Sequence, residues 1–110
     1  MLPKNREIVY LGKGNIIRRQ VLEDGVVPTA ANSTITKVEL VLADGSARFS
    51  FNSTDNAGVV TTPDVDWIVD LDLGAEDIPA DDYTANLVLF DADNVDGIVV
   101  QSFPLRVTSV

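Results

Sequence analysis

The chain of 110 residues has no cysteine and no histidine. Without cysteine it has no disulfide staple, so its core must hold by burial alone; that usage fits a reducing compartment or a particle assembled in one. Without histidine or a thiol it lacks the usual general base at neutral pH and the most reactive nucleophile. Its three lysines, Lys4, Lys13 and Lys37, have no catalytic motif around them. Acid pairs such as Asp64 with Asp66 or Asp70 with Asp72 could serve a two-carboxylate hydrolysis, but on alternating strand positions they read as the solvated face of a sheet. The expectation is a chain with no catalytic residues and no cofactor. No apolar run is long enough for a signal peptide or a membrane span, which predicts synthesis and retention in the cytoplasm and no membrane partner.

Basic residues are also scarce, and unevenly placed. Residues 1–20 carry Lys4, Arg6, Lys13, Arg18 and Arg19 against the single Glu7, whereas beyond them only Lys37, Arg48 and Arg106 answer sixteen carboxylates. A body this acidic repels phosphate, so no nucleic-acid partner is expected. The five N-terminal cations are instead candidate interaction residues. They belong either to the first strands of the chain's own domain or to an arm that lies on the acidic sheet of a neighbour.

What is present in quantity is β pattern. Hydrophobic residues make up 45% of the chain, enough for one core and one domain, residues 1–110. Glu7 to Leu11 reads as a short strand, and Asn15 to Leu22 as a second with one thinly covered face. Thr34 to Ala43 alternates, with Val38, Leu40 and Leu42 on one side and Lys37 and Glu39 on the other. Asp44-Gly45 is a hairpin signal, and Arg48 to Asn52 returns with Phe49 and Phe51 on one face. Val59 to Thr62 reads as a short edge strand stopped by Pro63. Trp67, Val69, Leu71 and Leu73 point inward and Asp70 and Asp72 outward; the opposite register would bury two carboxylates at several kcal/mol each, so the register is fixed. Tyr83, Ala85, Leu87 and Leu89 form the next inward face. Ile98 to Val107 is the last strand, with Pro104 marking an edge or a bulge. Seven or eight short strands with no helical period predict an all-β, Ig-like antiparallel β-sandwich.

Five places invite a site. The turn Asp91-Ala-Asp93-Asn94-Val-Asp96-Gly97 clusters oxygens as calcium requires, but Val95 stands fifth, Gly97 seventh and Ser102 twelfth, which breaks the EF-hand spacing. It reads as a turn with Gly97 at positive φ, and weak divalent binding by Asp91, Asp93 and Asp96 is the alternative. Asn32-Ser33-Thr34 and Asn52-Ser53-Thr54 match the glycosylation sequon, an empty match without a secretion signal. Trp67 has an inward address and reads as core; stacking on a sugar is the competing role. Tyr83, behind Pro79 and the acidic pair Asp81-Asp82, reads as a tyrosine corner whose hydroxyl ties the strand to upstream backbone.

The run Leu73-Gly74, then Asp81-Asp82-Tyr83-Thr-Ala-Asn-Leu-Val-Leu-Phe-Asp91, then Asp96-Gly97-Ile98-Val99-Val100 and Phe103-Pro-Leu-Arg-Val107, resembles small Ig-like proteins of tailed bacteriophages and prophages. The opening Asn5 to Leu11 is similar too. The fold also looks like the N-terminal domain of baseplate upper proteins. The likeness covers most of the chain from Thr34 onward and lies in structural motifs, so it brings no catalytic residue with it. Asp81-Asp82 stand where a Gly often precedes the corner Tyr, and antibody-type domains differ in carrying a disulfide. The resemblance implies a structural or assembly component of a virion, near the tail or baseplate, with protein partners that are copies of itself or other virion proteins. The alternative is a ligand-binding module that takes carbohydrate or a divalent metal through its acidic turns.

Overall fold

The computed structural model describes residues 7–14, 16–22, 26–28 and 34–109. Seven strands follow in order: β1 (Glu7–Tyr10), β2 (Ile16–Gln20), β3 (Lys37–Ala43), β4 (Arg48–Asn52), β5 (Ile68–Asp72), β6 (Asp81–Phe90) and β7 (Ile98–Thr108). One sheet runs β1-β7-β6-β3-β4 and the other β2-β5, the second extended by an isolated bridge from Val60 to Leu71. The two sheets form a β-sandwich. They place β6 at the centre of one layer and β5, between β2 and the Val60 bridge, at the centre of the other.

Alternation decides what lies between the layers. Val38, Leu40 and Leu42 from β3, Ala85 and Leu87 from β6, Leu105 and Val107 from β7 and Val69 and Leu71 from β5 are all buried. Each large side chain contributes about 1.5–3 kcal/mol relative to an exposed one. Among the described residues no polar or charged side chain is fully buried, and Asp70 and Asp72 turn outward.

Several elements depart from the pattern read in the sequence. The sandwich is not wholly antiparallel, because β1 pairs in parallel with β7, from Glu7 opposite Leu105 to Tyr10 opposite Thr108. That pairing also makes the lower half of β7 an interior strand. The Thr108 carbonyl accepts the Leu11 N–H, so even-numbered residues at this end of β7 turn their backbone toward β1. Pro104, which has no N–H, stands on that side one position before the pairing begins, where no ladder bond is required of it. The bulge lies elsewhere. Leu87 pairs with Gln101 and Val88 with Val99, leaving Val100 as the extra residue.

Val59 to Thr62 is not a strand; its backbone meets β5 only around Val60. Trp67 precedes β5 rather than opening it, and the strand expected from Thr34 starts at Lys37. The basic residues of β2 serve the chain's own body. Arg19 points inward: its Nη1 bonds Glu7 Oε1 at 3.0 Å, its Nε bonds Gln101 Oε1 at 2.7 Å, and its guanidinium lies 4.1 Å from the Phe103 ring centroid. One half-buried cation thus ties β2 to both β1 and β7 across the open side of the sandwich.

Candidate functional site

The loop from β6 to β7 is built by Asp91. Its Oδ1 accepts the N–H groups of Asp93 and Asn94, at 3.0 and 2.8 Å, and the side-chain amide of Asn94 at 3.0 Å. An oxygen holding three donors is spent on the turn rather than offered to a cation. Asp93 and Asp96 are exposed, and among the described residues no three His, Cys, Asp or Glu side chains gather as a metal centre. Gly97 closes the loop at φ +84°, packed over Val88 and Phe90.

Opposite this loop, the turn before β5 is built the same way by Asp64. Its Oδ1 accepts the N–H of Asp66 and of Ile68 at 2.8 and 2.9 Å, and its carbonyl accepts the Trp67 N–H. These bonds hold Trp67 at φ +62°, a left-handed conformation that costs a non-glycine residue roughly 1–2 kcal/mol. The twist turns the indole into the sandwich, where it is 5% exposed. It is a wall, not a platform for stacking a sugar face.

Between the two turns lies a cavity of about 520 Å³, with Val21, Ile35, Trp67 and Leu89 among its walls and Leu22, Ile98 and Val99 at its mouth. Asp91, Asn94 and Thr34 are the polar residues of its lining. Exposed large apolar side chains collect at this end: Leu22, Val95, Ile98 and Val99, the last 59% exposed. The adjoining loops supply the exposed Asp64, Asp66, Asp93 and Asp96. The one described cation at this strand end, Lys37, lies over the Phe90 ring at 4.3 Å from its centroid. No family model, curated protein or solved structure matches the chain. What the site does must therefore be argued from its own chemistry.

The remaining candidates lie apart from this end. Tyr83 donates its hydroxyl to the Pro79 carbonyl at 2.7 Å, and its ring meets Phe49 edge-on. Burial, then the charges of Asp81 and Asp44, push its phenol above 10 and keep it a donor. Asp44, in the β3–β4 turn, is held down to about 2, first by a hydrogen bond with the Asp81 carboxyl and then by the N–H groups of Ser46 and Ala47. Arg18 pairs with Asp70 at 3.1 Å, with both side chains well exposed, and such a pair contributes little. Lys13 is exposed in the turn after β1, while Lys4, Arg6 and the Asn32 sequon lie outside the described residues. Asn52 serves its own turn, its Oδ1 accepting the N–H groups of Thr54 and Asp55.

The apolar mouth went unread in the sequence, although a signal was there. Ile98-Val99-Val100 is three apolar residues in succession at the start of a strand, and a period of two cannot send all three inward.

Proposed function

We propose that the chain is a non-enzymatic structural or assembly component, of the tail or baseplate region of a phage or prophage particle. The observation that carries the assembly reading is the apolar mouth between the Trp67 turn and the β6–β7 loop. Leu22, Val95, Ile98 and Val99 give a small domain a gathered apolar surface at one end, the kind of surface that marks protein contact. The particle itself rests on the resemblance carried by the corner and the hairpin from Asp81 to Val107. Light scattering coupled to size separation tests assembly: concentration-dependent oligomers are expected, and a monomer at every concentration would overturn it. Gene neighbourhood tests the particle. Tail, portal or capsid genes beside this one are expected, whereas glycan-processing or secretion genes would favour the ligand-binding alternative. For that alternative the direct assay is a thermal melt with excess calcium and with chelator. We expect the two melts to agree, and a calcium-dependent rise of several degrees would promote metal binding.

A further inference from the structure

The polar groups of the cavity at the Trp67 end are out of balance. Trp67 is only 5% exposed and lines the cavity, yet among the described residues its indole N–H finds no acceptor. A buried indole N–H ordinarily has one. Two acceptors of the same lining are also unengaged. Asp91 commits Oδ1 to its turn, which leaves Oδ2, and Asn94 gives its amide N–H to Asp91, which leaves its own Oδ1.

The charge is equally one-sided. No Lys or Arg lines the cavity, and none occurs between Val21 and Thr36 or between Arg48 and Arg106, the stretches that supply its lining. The two framing loops add the exposed carboxylates Asp64, Asp66, Asp93 and Asp96. Unengaged acceptors under a surplus of carboxylate require N–H donors that carry positive charge. The unengaged indole N–H requires an oxygen, and Val21, Ile35 and Leu89 require an apolar body.

We propose that the cavity binds a small organic ammonium ion, one that joins a compact apolar body to an oxygen acceptor. A volume of about 520 Å³ is that of a small-molecule site. Carboxylates and phosphates are turned away by charge. A bare metal ion would leave the indole N–H and the apolar walls unserved, and a neutral sugar would leave Asp91 without a counter-charge. The site is separate from the assembly reading, which concerns the exposed side chains at the mouth, and either stands without the other.

The test uses the full chain and its one tryptophan, whose indole N–H gives a single signal in a proton–nitrogen correlation spectrum. Tyramine is the probe, with an aromatic body, a phenol oxygen and an ammonium group. Three relatives each change one part: phenethylamine lacks the oxygen, para-ethylphenol lacks the ammonium, and para-hydroxyphenylpropionate carries a carboxylate in its place. Tyramine should move the Trp67 signal saturably, with a dissociation constant of about 1 mM or tighter, and the first two relatives should bind at least about tenfold more weakly. The carboxylate should leave the signal in place. Asp91→Asn removes the counter-charge, and Val99→Arg sets a cation at the mouth, on a side chain 59% exposed. Each should weaken tyramine at least about tenfold while the rest of the spectrum stays folded; if Asp91→Asn disturbs its own turn, Val99→Arg decides. A signal that tyramine at about 10 mM does not move leaves the N–H to water and overturns the proposal. So does equal binding by any of the three relatives, or tyramine binding that Val99→Arg does not weaken. Glucose at the same concentration is the last control: a larger saturable shift than tyramine's would overturn the ammonium in favour of a neutral sugar.

Discussion

Gly97→Ala should be far more damaging than Gly45→Ala, although both glycines close hairpin turns at positive φ. Gly45 has φ +97° and open space where a Cβ would stand, so alanine there meets only the left-handed backbone penalty, roughly 1–2 kcal/mol. Gly97 has φ +84°, and its Cβ would lie 2.6 Å from Val88 Cγ1 and 2.7 Å from Phe90 Cε2. Overpacking adds about 1–3 kcal/mol to the same backbone term. The Phe90 ring is half-buried on an outer sheet face and can swing toward water, so the added cost belongs near the lower end, for a total of about 3 kcal/mol. Urea unfolding followed by far-ultraviolet circular dichroism reads both. With a slope of about 1–2 kcal/mol per molar for a domain of this size, Gly45→Ala should lower the midpoint by about 1 M and Gly97→Ala by about twice that. Adding Val88→Ala to Gly97→Ala removes the nearest clash, so the pair should cost less than the sum of the two single changes. Equal midpoints for the two glycine variants would refute the steric argument, and strict additivity with Val88→Ala would refute its geometry.

Two further outcomes follow from the acidic corner. Tyr83→Phe removes the bond to the Pro79 carbonyl, and because Pro79 is exposed and water can replace the donor, the loss should be about 1 kcal/mol at pH 7 in the same urea assay. The phenol is held above 10 in the fold, so wild-type stability should fall as pH rises past 10 and the gap to the Phe variant should close there; a gap unchanged at high pH would sink the assignment. Asp44→Asn keeps an acceptor for Ser46 and Ala47 but loses the charge. Its folded pKa, about 2, lies below the ordinary 3.8, so its charge stabilises fully above about pH 4 and progressively less as pH falls through 2. The wild type should exceed the variant at pH 7 and lose that excess between pH 4 and 2, and a difference independent of pH would count against it.

Most of the layers could be read in advance because each inner face is written locally. Val38-Leu40-Leu42 and Val69-Leu71-Leu73 alternate without interruption, and the charged residues between them leave one register open. Tyr83 and Gly97 also declare themselves through their neighbours. What could not be read depends on partners far away in the chain. Nothing within Glu7 to Tyr10 says that it pairs in parallel with residues almost a hundred positions later. Nor does β2 announce that Arg19 points inward, since an inward arginine makes sense only once Glu7, Gln101 and the Phe103 ring are beside it. The same holds at the candidate site. Trp67 showed its burial but not its left-handed backbone, which Asp64 imposes, and the cavity exists only where two turns distant in sequence come together.

The parallel pairing of β1 with β7 also settles how the domain carries force. Glu7 and Thr108 lie at opposite ends of that ladder, so tension applied through them slides the two strands lengthwise against each other. The inter-strand bonds then resist together, reinforced by the Leu11 N–H on the Thr108 carbonyl and by Arg19 gripping Glu7 from the other sheet. A hairpin such as β6–β7, pulled open from its free ends, would give way one pair at a time. Along the line from Glu7 to Thr108 the ladder is loaded in shear, the direction in which its bonds resist together.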